Sequence, residues 1–333
     1  MTAREPAALP RIAFLTLLLV AAVLVAVRIG AVGIGTGDIV RALFGDGDER
    51  TLAIVRGLRA PRVVLAALCG GALALSGMTF QALLRNPLAD PFILGVSSGA
   101  ATGSVAAVVL HLDQVGPWVI PTAAFLGAVC AVLLVFRVAT APGRVLNPQT
   151  LLLAGVIVGA FGNAAILLFL TFADVESFRS AVFWMMGSLA GATWQYAALL
   201  GIPLAIAATL LFGFARSLNL LAVGEATAAA LGVQVERVKY LCFALAALLA
   251  GIAVAVSGVI GFVGLVVPHA VRLLWGSDHR LLIPCTALLG ATFLVLADAT
   301  ARTAAAPGEL PIGVITAFVG VPFFIVLLRR RDV

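Results

Sequence analysis

Long apolar runs, broken only by single charges, glycines or prolines, dominate this sequence and make a lipid bilayer the solvent in which the chain must fold. About twenty apolar helical residues cross a hydrocarbon core. Nine runs approach or reach that length: residues 12–32, 63–84, 92–110, 118–136, 150–171, 192–214, 240–257, 281–300 and 311–328. A tenth, 260–275, is short for a crossing and carries Pro268, His269 and Arg272, so it is tolerable only where other helices shield it from lipid. Charged residues make up only 11% of the chain, against about 25% in soluble domains. The expectation is an all-α, polytopic membrane protein of about ten helices, with residues 1–333 forming one transmembrane domain.

Charge sets the sidedness. With ten crossings both termini share a side, and the basic ends, Arg4 and Arg11 at the start and Arg329 to Arg331 at the finish, agree with that. Placing them inside puts thirteen cations and six anions on the cytoplasmic face and eight cations and nine anions outside, which fits the positive-inside rule and the net charge of +6. The first run lacks a small-x-small cleavage site before Arg28 and reads as a retained helix rather than a secretory signal. The single lysine, Lys239, lies between Val238 and Tyr240, so the chain has no Gly-Lys-Ser/Thr loop and any energy from ATP must come through a partner. Cys69, Cys130, Cys242 and Cys285 lie in apolar runs without a CxxC pair and read as packing residues.

Gly95, Gly99 and Gly103 form consecutive GxxxG steps, and Gly155/Gly159 and Gly187/Gly191 repeat the spacing, which suits close helix packing. The segment Arg85-Asn86-Pro87-Leu88-Ala89-Asp90-Pro91 has two prolines four apart, so the helix breaks there; a structural turn and a gating role both remain open. The loop 218–239 contains Gly224-Glu225-Ala226-Thr227-Ala-Ala-Ala-Leu231-Gly232, an Ala-rich stretch that predicts a short helix ended by Gly232.

The sequence resembles the FecCD-type permeases of ABC importers for iron chelates, haem and vitamin B12. The resemblance rests on Arg85, Asn86, Pro87, Asp90 and Pro91 followed by Leu94-Gly95-Val-Ser-Ser-Gly99. It continues in Leu151-Leu-Leu-Ala-Gly-Val156, Trp184-Met-Met-Gly-Ser-Leu189, the stretch from Gly261 through Pro268-His269 to Arg272, Asp278-His-Arg280 and Glu309-Leu-Pro-Ile-Gly-Val314. It implies a BtuC-like ABC importer permease fold in the bacterial inner membrane and a second permease subunit, as a homodimer. It also implies two ATPase subunits that bind ATP and magnesium, a periplasmic or lipid-anchored substrate-binding protein, and alternating access. It implies no cofactor or catalytic residue in this chain and no nucleic-acid partner.

On that resemblance Glu225, Ala226, Leu231 and Gly232 belong to a coupling helix resting on the ATPase, although Gly232 follows Glu225 by seven residues where the broader importer pattern has six, and Thr227 stands for its second Ala. Arg59, Arg62 and Arg302 match basic positions that receive acidic residues of the binding protein. Positive charge on the outer side runs against the local sidedness and needs a partner; lipid phosphate or the chain's own Asp298 and Glu309 are the alternatives. The helix starting near Asn147, Pro148 and Gln149 and containing Asn163 is implied to line the path, with Pro148-Gln149 departing from the small hydroxyl residues of some relatives. Few ionisable residues lie within the runs, which suits a bulky chelate and suits a bare metal ion poorly. No metal site is read from the sequence: His269, His111 and His279 form no HExxH, and His269 reads as a packed histidine. Ser188 and Ser257 lack a hydrolase nucleophile's flanking residues. The rival reading is an ion-coupled secondary transporter, for which only Asp298 approaches a span interior.

Overall fold

The computed structural model describes residues 8–30, 32–140, 148–305 and 308–329, and every regular element among them is helical. In chain order these are α1 (Ala8–Arg28), α2 (Thr36–Phe44), α3 (Glu49–Leu52), α4 (Ala60–Leu84), α5 (Val96–Val109), α6 (Val119–Ala139), α7 (Pro148–Thr171), α8 (Val175–Met185), α9 (Trp194–Gly213), α10 (Ala215–Val223), α11 (Glu225–Ala230), α12 (Val235–Ser257), α13 (Val263–Trp275), α14 (His279–Thr303) and α15 (Ile312–Arg329). A π-helical stretch, Ala53–Arg59, joins α3 to α4, so Glu49–Leu84 is one rod of 36 residues. Seven helices are long and apolar enough to cross a membrane, and α5, α13 and α15 contribute shorter apolar segments. These ten correspond to the ten runs of the sequence.

The core is organised around α4, which packs on α14, α12, α13 and α9. Glycine makes this possible. A methyl group added at Gly70 would overlap the Gly290 carbonyl of α14, and one at Gly77 would overlap the Gly264 carbonyl of α13. Backbone therefore meets backbone, the contact that holds helices together where no hydrophobic force acts between them. Gly99 and Gly103 of α5 do the same against Gly127 and Ala123 of α6.

The short helix α13 receives the shielding that its polar content requires, packed between α4, α14 and α15. Pro268 has no N–H and frees the carbonyl of Gly264 four residues back. Gln81 of α4 fills that gap: its Nε2 donates to Gly264 O at 3.1 Å, and its Oε1 accepts from the Arg272 guanidinium at the other end of α13.

The break after α4 is a built turn. Arg85 adopts a left-handed conformation (φ 47°) as the helix C-cap; Asn86 Oδ1 accepts the Leu88 N–H at 2.9 Å; Asp90 Oδ1 accepts the Phe92 N–H at 2.8 Å, capping a 3₁₀ turn, Pro91–Leu94. Gly95 (φ 78°) ends that turn and starts α5. Each polar member of the motif thus has a structural duty.

Candidate functional site: two ends and a bare face

Successive apolar helices run in opposite directions, so two ends can be defined. At one end, the rim, the last turn of α1 meets the starts of α4 and α15 and the end of α14. Arg59, Arg62 and Arg302 do come together there, and their guanidiniums are engaged within the chain. Arg59 is only 6% exposed and donates to the carbonyls of Val27, Arg28 and Val32. Arg302 donates to Ile29 O at 2.9 Å and Ala26 O at 3.0 Å. The last carbonyls of α1 have no helical partners and carry the negative end of its dipole, so two guanidiniums close it. Arg62 lies 3.0 Å from Asp298 through Nε and grips Glu309 with both terminal nitrogens at 3.0 and 2.8 Å; Asp298 also sits 3.0 Å from Arg302. The acidic partners are the chain's own. Glu309 is 44% exposed and forms the accessible part of this cluster.

At the opposite end, α10 and α11 form the predicted short helical loop. Gly232 (φ 84°) closes α11, and the Val233 N–H returns to Ala228 O at 3.0 Å. Lys239 is the anchor: 3% exposed beneath the loop, it holds Glu225 at 3.1 Å and Glu236 at 3.3 Å. Arg85 reaches the other oxygen of Glu225 at 3.7 Å, tying α11 to the turn after α4. With its charged side held down, α11 turns apolar groups outward: Val223, Ala226 and Leu231 are exposed, and so is Gly232.

The third feature is a bare face. On α7, Val156, Ile157, Phe161, Leu167 and Leu168 are exposed, and Asn163 is exposed among them. Gln149, near the start of the helix, is exposed; Pro148 begins the helix; Asn147 lies outside the described residues. On α15, Phe318, Val319, Val321, Ile325 and Val326 are exposed. Between α15, the end of α8 and the α12–α13 connection lies an uncharged groove of about 560 Å³, lined by Met185, Met186, Phe262, Val314, Phe318 and Pro322 among others. Phe262 is left-handed (φ 68°), a costly conformation for a bulky residue, and its ring sits against Gly320.

The sequence matches the FecCD transport family over residues 18–330, nearly its whole length. The chain belongs to that family. It is 45% identical over 286 residues to the cobalamin import system permease protein BtuC of Halobacterium salinarum, covering 86% of this chain and 76% of that protein. It is 40% identical over 318 residues to the vitamin B12 import system permease protein BtuC of Salmonella typhi, covering 95% and 94%. Its fold superposes on an inward-facing metal-chelate type ABC transporter with a TM-score of 0.85 at 33% identity, covering 96% of this chain and 98% of that one. This FecCD chain is therefore a multi-pass membrane permease of the ABC type.

His269 behaves as a packed residue: it is buried, with its ring 6.3 and 6.1 Å from those of Phe323 and Phe324. Among the described residues no three His, Cys, Asp or Glu side chains are grouped to hold a metal ion. Sequence reasoning missed Gln81, the anchoring role of Lys239, and Asn219 of α10, whose Oδ1 accepts the His279 N–H at 2.9 Å. For Gln81 a signal existed, since Pro268 announces a carbonyl in need of a donor.

Proposed function

We propose that this chain is the permease subunit of an ATP-driven importer for organometallic chelates, working by alternating access as a permease dimer in the bacterial inner membrane. The observation that carries the reading is Asn163, a carboxamide exposed among apolar side chains within α7. Such a group is costly against hydrocarbon and finds satisfaction at a second subunit or a wetted path. The uncharged groove beside α15 suits a bulky chelate held loosely. The relatives' names favour cobalamin, with ferric siderophores and haem as the other candidates.

On this reading α11 is the coupling helix, offering Ala226, Leu231 and Gly232 to a separate ATPase while Glu225 transmits its movement to Arg85 and Lys239. The α11 end is the cytoplasmic one, the side to which the charge balance of the sequence assigns both termini. At the rim an acidic group of a binding protein would engage Arg62 by displacing the exposed Glu309; Arg59 and Arg302 hold the platform rigid. A secondary transporter is disfavoured by geometry, because Asp298, the carboxylate inside a span, is held between two arginines.

Proteoliposomes containing the chain, a candidate ATPase and a binding protein should take up labelled cobalamin or ferric siderophore only with ATP. Uptake by the chain alone on an ion gradient would sink the proposal. Glu225→Gln should leave ATP hydrolysis running while uptake falls about tenfold.

A further inference from the structure

At the α11 end a cavity of about 220 Å³ opens between the end of α4, the turn after it, α10, the end of α13 and the start of α14. Its polar lining is Gln81, Arg85, Asn86, Arg272, Ser277 and His279. The cations are under-compensated. Arg272 donates to Gln81, and among the described residues no carboxylate lies within ion-pair distance of it. A guanidinium has five N–H donors, so most of this fork is available. Arg85 meets Glu225 only at 3.7 Å, and that carboxylate is already held by Lys239. The nearby Asp278 carboxylate is engaged as the α14 cap, accepting from the Arg280 N–H at 2.9 Å and from Asn219 Nδ2 at 2.7 Å.

His279 supplies an independent observation. It is 4% exposed, and Asn219 Oδ1 accepts its backbone N–H at 2.9 Å, which fixes that oxygen as an acceptor. Nδ1, 2.7 Å from the same oxygen, must then carry a proton and donate. Nε2 is left buried without a partner among the described residues. A buried polar atom left open in this way is costly, unless a ligand completes it. In the tautomer so fixed Nε2 is an acceptor; an anion bound between it and Arg272 offsets the field of the guanidinium, so that the ring takes up a proton and Nε2 donates.

We propose that this cavity binds a phosphate group, supplied by the headgroup of an anionic phospholipid in the leaflet at the α11 end. Arg85 and Arg272 grip the phosphate oxygens, and His279 completes the ring of donors. Directly after Arg272 on α13, Leu273 and Leu274 are exposed and Trp275 is half-buried, an apolar surface that suits the acyl chains of a lipid whose headgroup enters the cavity. The site is independent of the transport reading and would be retained if that reading failed.

The test uses the full chain in neutral detergent, with native mass spectrometry to compare retention of dioleoylphosphatidylglycerol and dioleoylphosphatidylcholine, and a thermal-shift titration with inorganic phosphate. The expected result is about tenfold preference for the anionic lipid, the scale of one charge-assisted contact. Arg272→Gln should abolish the preference. Because Arg272 also braces Gln81, the second variant is Ser277→Asp, an exposed change that sets a negative charge at the cavity. A phosphate-dependent stabilisation that both variants lose supports the site with a soluble occupant. Equal retention of the two lipids together with no response to phosphate overturns the proposal, as does a lipid preference that survives in both variants.

Discussion

Two helices of this chain, α4 and α7, are both apolar enough to cross a membrane and end in opposite surroundings: 83% of the crossing window of α4 is buried inside the protein, against 33% of that of α7. In water the more apolar segment goes inside. In lipid that rule has no force, and small residues and polar groups decide which helix is central. α4 has Gly70 and Gly77 where neighbours must approach, and its polar groups point inward: Ser76 donates to Ala246 O at 2.7 Å and Gln81 serves α13. α7 places Gly155 against the Ile93 carbonyl on one side and presents large aliphatic residues and Asn163 on the other.

The strongest way to break this contrast is to add the same methyl group to each helix. At Gly77 it meets the Gly264 backbone, which cannot step aside. Gly77→Ala should cost about 3 kcal/mol or prevent folding, in the upper range for overpacking. At Gly159 on α7 the nearest atom is Ser98 Oγ at 3.8 Å, an ordinary contact, and Gly159→Ala should be neutral or slightly stabilising through helix propensity. Thermal unfolding of the purified chain in detergent reads both. Equal losses would show that α4 is not the backbone-contact hub.

Removing the polar group from each helix sharpens the comparison further. Gln81→Leu leaves the Gly264 carbonyl and the Arg272 guanidinium short of a partner, a loss of about 2 kcal/mol. Asn163→Leu removes an exposed amide, so the isolated chain should keep its stability. Uptake by the reconstituted system should fall if the α7 face meets a second subunit or the path. An Asn163 variant that is unstable yet transports normally would reverse the assignment.

Much of this was legible in the sequence, and the parts that were not share a cause. The ten apolar runs, the close packing at Gly99, Gly103 and Gly155, the turn from Arg85 to Gly95 and the end of α11 at Gly232 depend on residues close in sequence, where propensity and periodicity act; the same spacing misleads at Gly187 and Gly191, which lie in the turn after α8, and it does not single out Gly70 and Gly77 of the hub. The orientation of Arg59 and Arg302 depends on where the last carbonyls of α1 arrive, which only the tertiary fold decides; positive charge was visible and its direction was not. Gln81 finds its acceptor 183 residues away, and within an apolar run it looks like an isolated polar defect. Lys239 was notable in the sequence for the nucleotide loop it cannot form, and its duty beneath α11 emerges only when the loop folds over it.

The smallest expected effect lies in the turn that connects the two helices, since Pro91–Leu94 follows α4 and rests on α7. Asp90 caps this turn while half-buried, and burial pushes its carboxyl up to about 6, partly offset by the Phe92 N–H it accepts. An unfolded aspartate titrates near ~3.9. Between these values the folded chain holds a proton that the unfolded chain has released, so stability is greatest below about pH 4, declines as pH rises toward 6, and levels off above it. The span should amount to about 1–2 kcal/mol, the full linkage value being reduced by partial solvent access. Asp90→Asn keeps an oxygen for the cap and removes the charge, so thermal unfolding across pH 4–7 should lose this component of its slope while the turn survives. If the variant follows the same pH profile as the parent, Asp90 is ionised at no cost, and the turn is a wetter and looser link between α4 and α7 than its packing indicates.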